Sequence, residues 1–349
     1  MAGSLRHLAS PYQRYRHAQA LHALRVALAM LTTILITSGL HLPHGDWASV
    51  SMLIVIGGIQ HHGNIRKKAT ERALGTMLGA GLGLLFIVVH AAFGSAWLTY
   101  GLLSLTAGVC AYYAIGRAGY IALLTAITVI IVAGHGDNSL QTGMWRSLNV
   151  FIGIVVALVF SFALPLNATY SWRYDMALNL RRSAGLIRRL LAGEILTPEA
   201  RNAVFVDLTR RSISLRNLLA SVAKETEAPM RQLEEIQTLH RSILASLETM
   251  STVRFAGDSA QPVAVMQAFQ EEGRSMRAML LAMARALRAG DPSTLQPYAA
   301  DALMPGPTPE VAAKVLPPEA QGPYWFMRQS MAQVDRLLHL LLTLRGSLR

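Results

Sequence analysis

Cysteine is nearly absent: Cys110 is the only one in 349 residues. A single thiol excludes an intramolecular disulfide framework and a metal site built from several cysteines. The sequence also lacks a glycine-rich phosphate loop, the ligand spacing of a zinc site and a nucleophile elbow. The sequence therefore offers no site for ATP-driven transport or for enzymatic catalysis. We expect neither a cofactor nor a metal.

Charge is also scarce, at 15% of residues, whereas hydrophobic residues make up 52%. Soluble domains average about 25% charged residues. The shortage lies in the first half, where Asp46, Glu71 and Asp137 are the only acidic residues before residue 170. A long segment with so few charges is typical of a membrane domain.

Six apolar stretches are present in this half, and several approach the lower limit of about 17 residues for a membrane span. The second and fifth are short, but omitting either would place basic loops on both sides of the membrane. We therefore predict an all-α chain, with a cytoplasmic N-terminal segment over 1–23 and a six-helix transmembrane bundle over 24–168. The stretches are 24–42, 47–60, 73–89, 96–116, 120–134 and 148–164.

The net charge of +12 fits membrane orientation better than nucleic-acid binding. Basic residues lie in the segments on one side of the predicted spans, while the other side has only Arg146. The positive-inside rule then makes both termini cytoplasmic. The long basic segment before the first span, with no small-residue cleavage site after it, favours a retained span over a cleaved signal peptide.

After Pro165 the sequence becomes polar and helical, with apolar residues at spacings of three and four. This pattern predicts a cytoplasmic α-helical bundle of about five helices over 169–349. We interpret the bundle as a dimerisation or gating domain. The predicted helices are 173–193, 200–224, 230–253, 261–289 and 324–346.

The membrane half resembles itself at an offset of 74 residues. Nine identities fall in the 44 pairs from residue 47 to 90. If the repeat is real, spans one to three correspond to spans four to six in the opposite orientation, an inverted repeat of the kind found in secondary transporters. The alternative is that helix ends reuse the same polar residues. The informative pairs are His61 with His135, Asn64 with Asn138, Arg72 with Arg146, and Gly79 with Gly153.

Glycines follow one face of the third predicted span, at Gly75, Gly79 and Gly83, with Thr76 beside the first. Such a face allows a neighbouring helix backbone to approach closely. Gly79 and Gly153 would then make equivalent contacts in the two repeats. The alternative is exposed backbone along a substrate path.

Three arginines lie within or at the ends of apolar helices, where a charge is costly. A guanidinium there can hold a substrate carboxylate bidentately and stays charged at any working pH. We therefore consider Arg25, Arg72 and Arg146 as candidate anion sites. The alternatives are that Arg25 reaches the lipid headgroups and that Arg72 and Arg146 are ordinary flanking charges.

Other polar side chains suit contact with the substrate or proton coupling. Trp47 is a candidate substrate contact, although an aromatic anchor at the membrane interface explains it as well. For proton coupling the candidates are Asp46, Glu71, His61 and His135. Their alternatives are an interface marker for Asp46, structural pairing for Glu71 and interfacial hydrogen bonding for the histidines.

Several motifs resemble the fusaric acid resistance and aromatic acid exporter family, especially its half-length inner-membrane members. They are Gly45-Asp46-Trp47, the basic loop after the second span, and Glu71 to Gly79, which reads Glu-Arg-Ala-Leu-Gly-Thr-Met-Leu-Gly. Tyr15-Arg16-His17 and Arg25-Val26-Ala27-Leu28-Ala29 add to the likeness.

This resemblance implies efflux of aromatic carboxylic acids across a bacterial inner membrane, driven by the proton gradient. It also implies a distant likeness to plant malate channels, which are dimers with a basic pore. The chain has one membrane unit where full-length exporters have two, so we expect a homodimer in contact with membrane lipids. A passive anion channel at a dimer interface, or an envelope protein that transports nothing and binds a cytoplasmic partner, are the alternatives.

Overall fold

In the computed structural model of the protein, every regular element among the described residues is an α-helix. The all-α prediction is confirmed for this part of the chain. The chain divides into two compact units, Met1–Asn167 and Ala168–Arg349. The structure describes residues 11–56, 62–116, 118–135, 138–163, 167–192, 194, 196–252, 263–291, 295 and 318–344.

The first unit contains seven helices in its described residues. Three segments are long and apolar enough to cross a membrane: Ala18–Gly39, Thr70–Phe93 and Leu140–Ala163. The count of six spans therefore stays a prediction. The helices are α1 Pro11–Arg16, α2 Ala18–Gly39, α3 Asp46–Ile56, α4 His62–Phe93, α5 Ala96–Ala114, α6 Gly119–Ala133 and α7 Leu140–Ala163.

The other predicted spans fall short of that standard for different reasons. Helices α3 and α6 are apolar but have only 11 and 15 residues. Helix α5 has 19 residues, but its glycine, serine, threonine and tyrosine residues lower its mean hydropathy.

The basic segment before Ala73 is helical, so its description as a loop was wrong. Helix α4 begins at His62 and runs without interruption to Phe93. Arginine, lysine, alanine and glutamate are good helix formers, and neither glycine nor proline interrupts the chain between residues 64 and 74. Arg72 consequently lies inside α4, and Arg146 lies inside α7.

Two helix pairs dominate the packing of the first unit. Helix α4 packs along α6, α3 packs along α7, and α4 contacts α7 in the middle. Under the 74-residue offset, α4 corresponds to α7 and α3 corresponds to α6. The first pair is therefore the counterpart of the second, which is the arrangement that an inverted repeat requires.

Glycine makes the close approach within both pairs possible. A Cβ atom on Gly79 would lie 2.6 Å from the carbonyl oxygen of Thr125 on α6. A Cβ atom on Gly153 would overlap the carbonyl oxygen of Ala48 on α3. Gly75 and Gly83 face α6 in the same way, with Cβ positions 2.8 Å from atoms of Ile121 and Val132 respectively.

The second unit contains five helices among its described residues, close to the predicted ranges. They enclose an apolar core with fully buried Trp172, Leu208 and Leu233. The amphipathic spacing of three and four places these residues on the inward faces. The helices are α8 Ala168–Leu191, α9 Pro198–Thr226, α10 Met230–Thr252, α11 Val263–Ala289 and α12 Pro318–Thr343.

Side chains cap two of these helices. The Glu225 carboxylate accepts hydrogen bonds from the backbone N–H groups of Ala168 and Thr169, at 3.0 and 2.9 Å, which satisfies free donors at the start of α8. Arg173 donates from Nε to the carbonyl oxygen of Leu287 at the end of α11, at 3.0 Å. These bonds join the beginning of α8 to the ends of α9 and α11.

Candidate functional site

Arg72 is buried between two short helices. Its side chain projects from α4 and is 3% exposed. Nη1 donates a hydrogen bond to the hydroxyl oxygen of Tyr120, at the start of α6, over 2.9 Å. Nη2 lies 3.5 Å from the carbonyl oxygen of Ser51 on α3. The guanidinium therefore contacts an aromatic residue of one short helix and the backbone of the other.

Arg146 occupies the corresponding place on α7. Its Nη1 donates to the carbonyl oxygen of Ile131 on α6, at 3.0 Å. Its guanidinium carbon lies 5.7 Å from the ring centroid of Trp47 at the start of α3, within the range of a cation–π contact. Arg146 thus also contacts an aromatic residue of one short helix and the backbone of the other.

The contacts of the two arginines are exchanged between the short helices. Arg72 uses the aromatic residue of α6 and the backbone of α3, while Arg146 uses the aromatic residue of α3 and the backbone of α6. Tyr120 and Trp47 both stand in the first turn of their helices. The exchange is what a two-fold relation between the repeats would produce.

Each guanidinium has one buried nitrogen without a hydrogen-bond partner among the described residues. Nε of Arg72 and Nε of Arg146 are buried and have no hydrogen-bond partner among the described residues. Because Nε and Nη2 point from the same edge of a guanidinium, they form the fork that binds a carboxylate bidentately. In each arginine Nη1 donates a hydrogen bond that fixes the group in place, and in Arg72 Nη2 also lies 3.5 Å from the carbonyl oxygen of Ser51. Neither fork faces a carboxylate of the described chain.

Asn149 extends the site on α7. It lies one turn after Arg146 and is fully buried. Its Nδ2 donates to the carbonyl oxygens of Pro43 and Trp145, at 2.8 and 2.9 Å. These bonds attach α7 to the turn that precedes α3 and hence to the segment that presents Trp47. On α4 the corresponding position is Gly75, which has no side chain.

Arg25 lies apart in sequence, on α2, and is 1% exposed. Its Nη2 is 2.9 Å from Nδ1 of His22, one turn earlier on the same helix. The side chain is covered by the protein instead of extending into the surroundings of the unit.

The proton-coupling candidates are spread over the unit. Asp46 is exposed in the first turn of α3, and His135 is exposed just after α6. Glu71 is half-buried next to Arg72 in the chain. His61 lies outside the described residues. No ion pair between a carboxylate and Arg72 or Arg146 occurs in the part of the chain that the structure describes.

Thr76 is buried on α4 beside Gly75. The helix-packing candidates Gly79, Gly83 and Gly153 lie at contacts between helices. Within the same described segments, no group of three or more histidine, cysteine, aspartate or glutamate side chains could hold a metal ion.

Sequence reasoning missed Tyr120, Asn149 and the backbone carbonyls of Ser51 and Ile131. The 74-residue offset pairs Tyr120 with Asp46, the neighbour of Trp47, and this pairing could have revealed Tyr120 as a site residue. The carbonyl partners have no sequence signal, since every residue carries a backbone carbonyl.

A sequence model of the fusaric acid resistance protein family matches residues 19–345, which is nearly the whole chain. The chain belongs to this family. The family is one of membrane transport proteins, and the likeness predicted from the motifs is confirmed. The chain is also 29% identical, over 279 residues, to the inner membrane protein YeeA of Escherichia coli strain K12. The match covers 80% of this chain and 79% of that protein.

Proposed function

We propose that the protein exports organic anions, in particular aromatic carboxylates, from the cytoplasm across a bacterial inner membrane. The observation that carries this proposal is the pair Arg72 and Arg146. Both guanidinium groups are held between α3 and α6, and each has a buried Nε without a partner among the described residues. A buried guanidinium nitrogen without a partner in an apolar unit suits interaction with a carboxylate that passes through.

Inner-membrane placement is supported by three apolar helices of spanning length and by the likeness to YeeA, a protein named for that membrane. In the proposed topology α3, α5 and α6 complete six spans, and both termini are cytoplasmic. The described part of α3 and the whole of α6 have 11 and 15 residues, which correspond to about 16 and 22 Å at 1.5 Å per residue.

Proton coupling forms part of the proposal. Glu71 is the candidate carrier next to an arginine of the site, and Asp46, His61 and His135 are candidates for exchange with the solution on either side. In this mechanism, protonation of a carrier accompanies each step in which an anion leaves one arginine. The family description, which names resistance to fusaric acid, a carboxylic acid, supports efflux as the direction.

Flux measurements in proteoliposomes test the proposal. Purified full-length protein is reconstituted, and efflux of radiolabelled benzoate is measured with and without an imposed pH gradient. We expect efflux to rise with the gradient and to fall at least about tenfold in Arg72→Gln and Arg146→Gln, since a carboxylate–arginine pair is worth about 1.5 to 3 kcal/mol. Arg25→Gln is measured in parallel. Unchanged flux in all three folded variants would remove the assigned site.

A passive anion channel is the second candidate function. The observation that favours it is the absence of a carboxylate partner for Arg72 and Arg146 among the described residues. The same vesicles distinguish the two functions. A channel conducts benzoate down its own gradient at a rate that a pH gradient does not change.

Homodimer formation is the last part of the proposal, with the second unit as dimerisation or gating domain. It rests on the family resemblance, which implies two membrane units in the full-length exporters. Light scattering of the purified protein gives the mass, and a mass of one chain with full transport would contradict the homodimer.

An envelope protein that transports nothing would show neither benzoate flux nor a response to the arginine variants.

A further inference from the structure

Arg72 and Arg146 make matching contacts, whereas a single anion site would need only one of them. Each guanidinium uses Nη1 to attach itself to α6, and each leaves Nε buried and without a partner among the described residues. One transported carboxylate can occupy one fork at a time in full bidentate geometry. Two arginines that each have an unpartnered Nε and an aromatic neighbour can together hold two carboxylates.

The two places are not identical. Arg72 is almost completely buried and contacts a hydroxyl, which accepts its hydrogen bond and keeps one proton to donate. Arg146 is half-buried and contacts an indole ring through its face. The first place thus offers an additional donor for a carboxylate oxygen, and the second offers an apolar surface for an aromatic ring.

Their separation along α6 supports two distinct positions. Tyr120 lies near the start of this helix and Ile131 near its end, so the residues that hold the two arginines are eleven positions apart. At 1.5 Å per residue this corresponds to about 16 Å along the helix axis. A benzoate-sized anion spans less than half of that distance, and a single molecule would not fill both forks.

We propose that each chain binds two carboxylates, one in an enclosed site at Arg72 and Tyr120 and one in a more open site at Arg146 and Trp47. The identity of the ligand as a carboxylate rests on the proposed function. In the enclosed site the Tyr120 hydroxyl donates to the bound carboxylate, and in the open site the Trp47 ring packs on the ligand's apolar part. An anion crosses the unit by moving from one site to the other.

Binding stoichiometry tests the proposal. Radiolabelled benzoate is the probe, and equilibrium dialysis is performed on the purified full-length protein in detergent. We expect two benzoates per chain in the wild type, one in Arg72→Gln, one in Arg146→Gln and none in the double variant. Arg188→Gln, which changes an exposed arginine of the second unit, is the matched control and should retain two.

Milder variants keep the test decisive if the arginine variants fail to fold. Tyr120→Phe should weaken the enclosed site by about fivefold, the effect of losing one hydrogen bond, and leave the open site unchanged. Trp47→Leu should do the reverse. A wild-type stoichiometry of one, or a single arginine variant that abolishes all binding, would overturn the two-site proposal.

Failure of the two-site proposal can be distinguished from failure of the proposed function. One benzoate per chain together with normal flux contradicts the second site and leaves export intact. Two benzoates per chain with no flux in vesicles supports the sites and contradicts export. Absence of both binding and flux contradicts both.

Discussion

The hydroxyl oxygen of Tyr120 accepts a hydrogen bond from Nη1 of Arg72 at 2.9 Å, and this bond fixes the guanidinium between α4 and α6. The phenol acts here as an acceptor, so its own proton remains available. With the guanidinium fixed in this way, Nε has a defined orientation, which is a condition for bidentate recognition of a carboxylate.

Arg72→Lys separates charge from geometry at this site. Lysine retains the positive charge but lacks the planar fork and the second nitrogen that meets Ser51. We expect benzoate efflux from proteoliposomes to fall by about tenfold, equivalent to about 1.4 kcal/mol. Arg16→Lys, at an exposed position of α1, is the control. Equal efflux in the two variants would mean that charge alone suffices.

Gly79→Ala should destabilise the first unit. The new Cβ would lie 2.6 Å from the carbonyl oxygen of Thr125, and backbone at this distance has to move. We expect a loss of about 1 to 3 kcal/mol, the usual cost of overpacking, and a lower midpoint in thermal unfolding of the purified protein. Gly81→Ala on the same helix meets nothing within 4 Å and should leave the midpoint unchanged or higher.

Gly290→Ala should destabilise the second unit. Gly290 has a φ of +75°, and a Cβ there would overlap the guanidinium of Arg173. The left-handed conformation costs other residues about 1 to 2 kcal/mol, and displacement of Arg173 adds about 1 kcal/mol for the bond to Leu287. The free energy of unfolding of the full chain measures the sum of these two costs. Gly185→Ala, which has open space around it, should instead be neutral or stabilising.

His240 should make the stability of the protein sensitive to acid. Burial lowers the pKa of His240 to about 4, and neither ring nitrogen has a hydrogen-bond partner among the described residues. Because the unfolded chain binds the proton near pH 6.5 and the folded chain does not, stability is lost as the pH falls from about 6.5 towards 4. At pH 4.5 this loss amounts to about 2 to 3 kcal/mol.

The variant His240→Leu isolates this contribution. It should match or exceed the wild type at pH 7, since leucine leaves no buried polar atom unpaired. Its free energy of unfolding should fall less than that of the wild type between pH 7 and pH 4.5. His339→Leu, at a side chain that is 54% exposed, is the control. An identical pH dependence for the wild type and His240→Leu would contradict the prediction.

The helices of the second unit could be predicted because their apolar residues recur with a helical period and face one core. The membrane half was harder, because a helix that is apolar on all sides has no such period. The helical start of α4 was missed since a cluster of Arg66, Lys67 and Lys68 was interpreted as a loop, although these residues favour helices.

Part of the candidate site was accessible from the sequence and part was not. The offset of 74 residues related Arg72 to Arg146 before any contact was known. Tyr120 was overlooked because an aromatic residue at the end of a span is usually an interfacial anchor. Which helix carbonyls meet the guanidinium groups depends on how α3 and α6 are placed against α4 and α7, and only the three-dimensional arrangement determines that.

The lack of a carboxylate beside Arg72 and Arg146 in the described segments has an electrical consequence. In the proposed export, a carboxylate bound by these arginines keeps its own negative charge, so each export event would carry current. With a negative cell interior, the membrane voltage then assists the outward movement by about 2.3 kcal/mol per charge for every 100 mV.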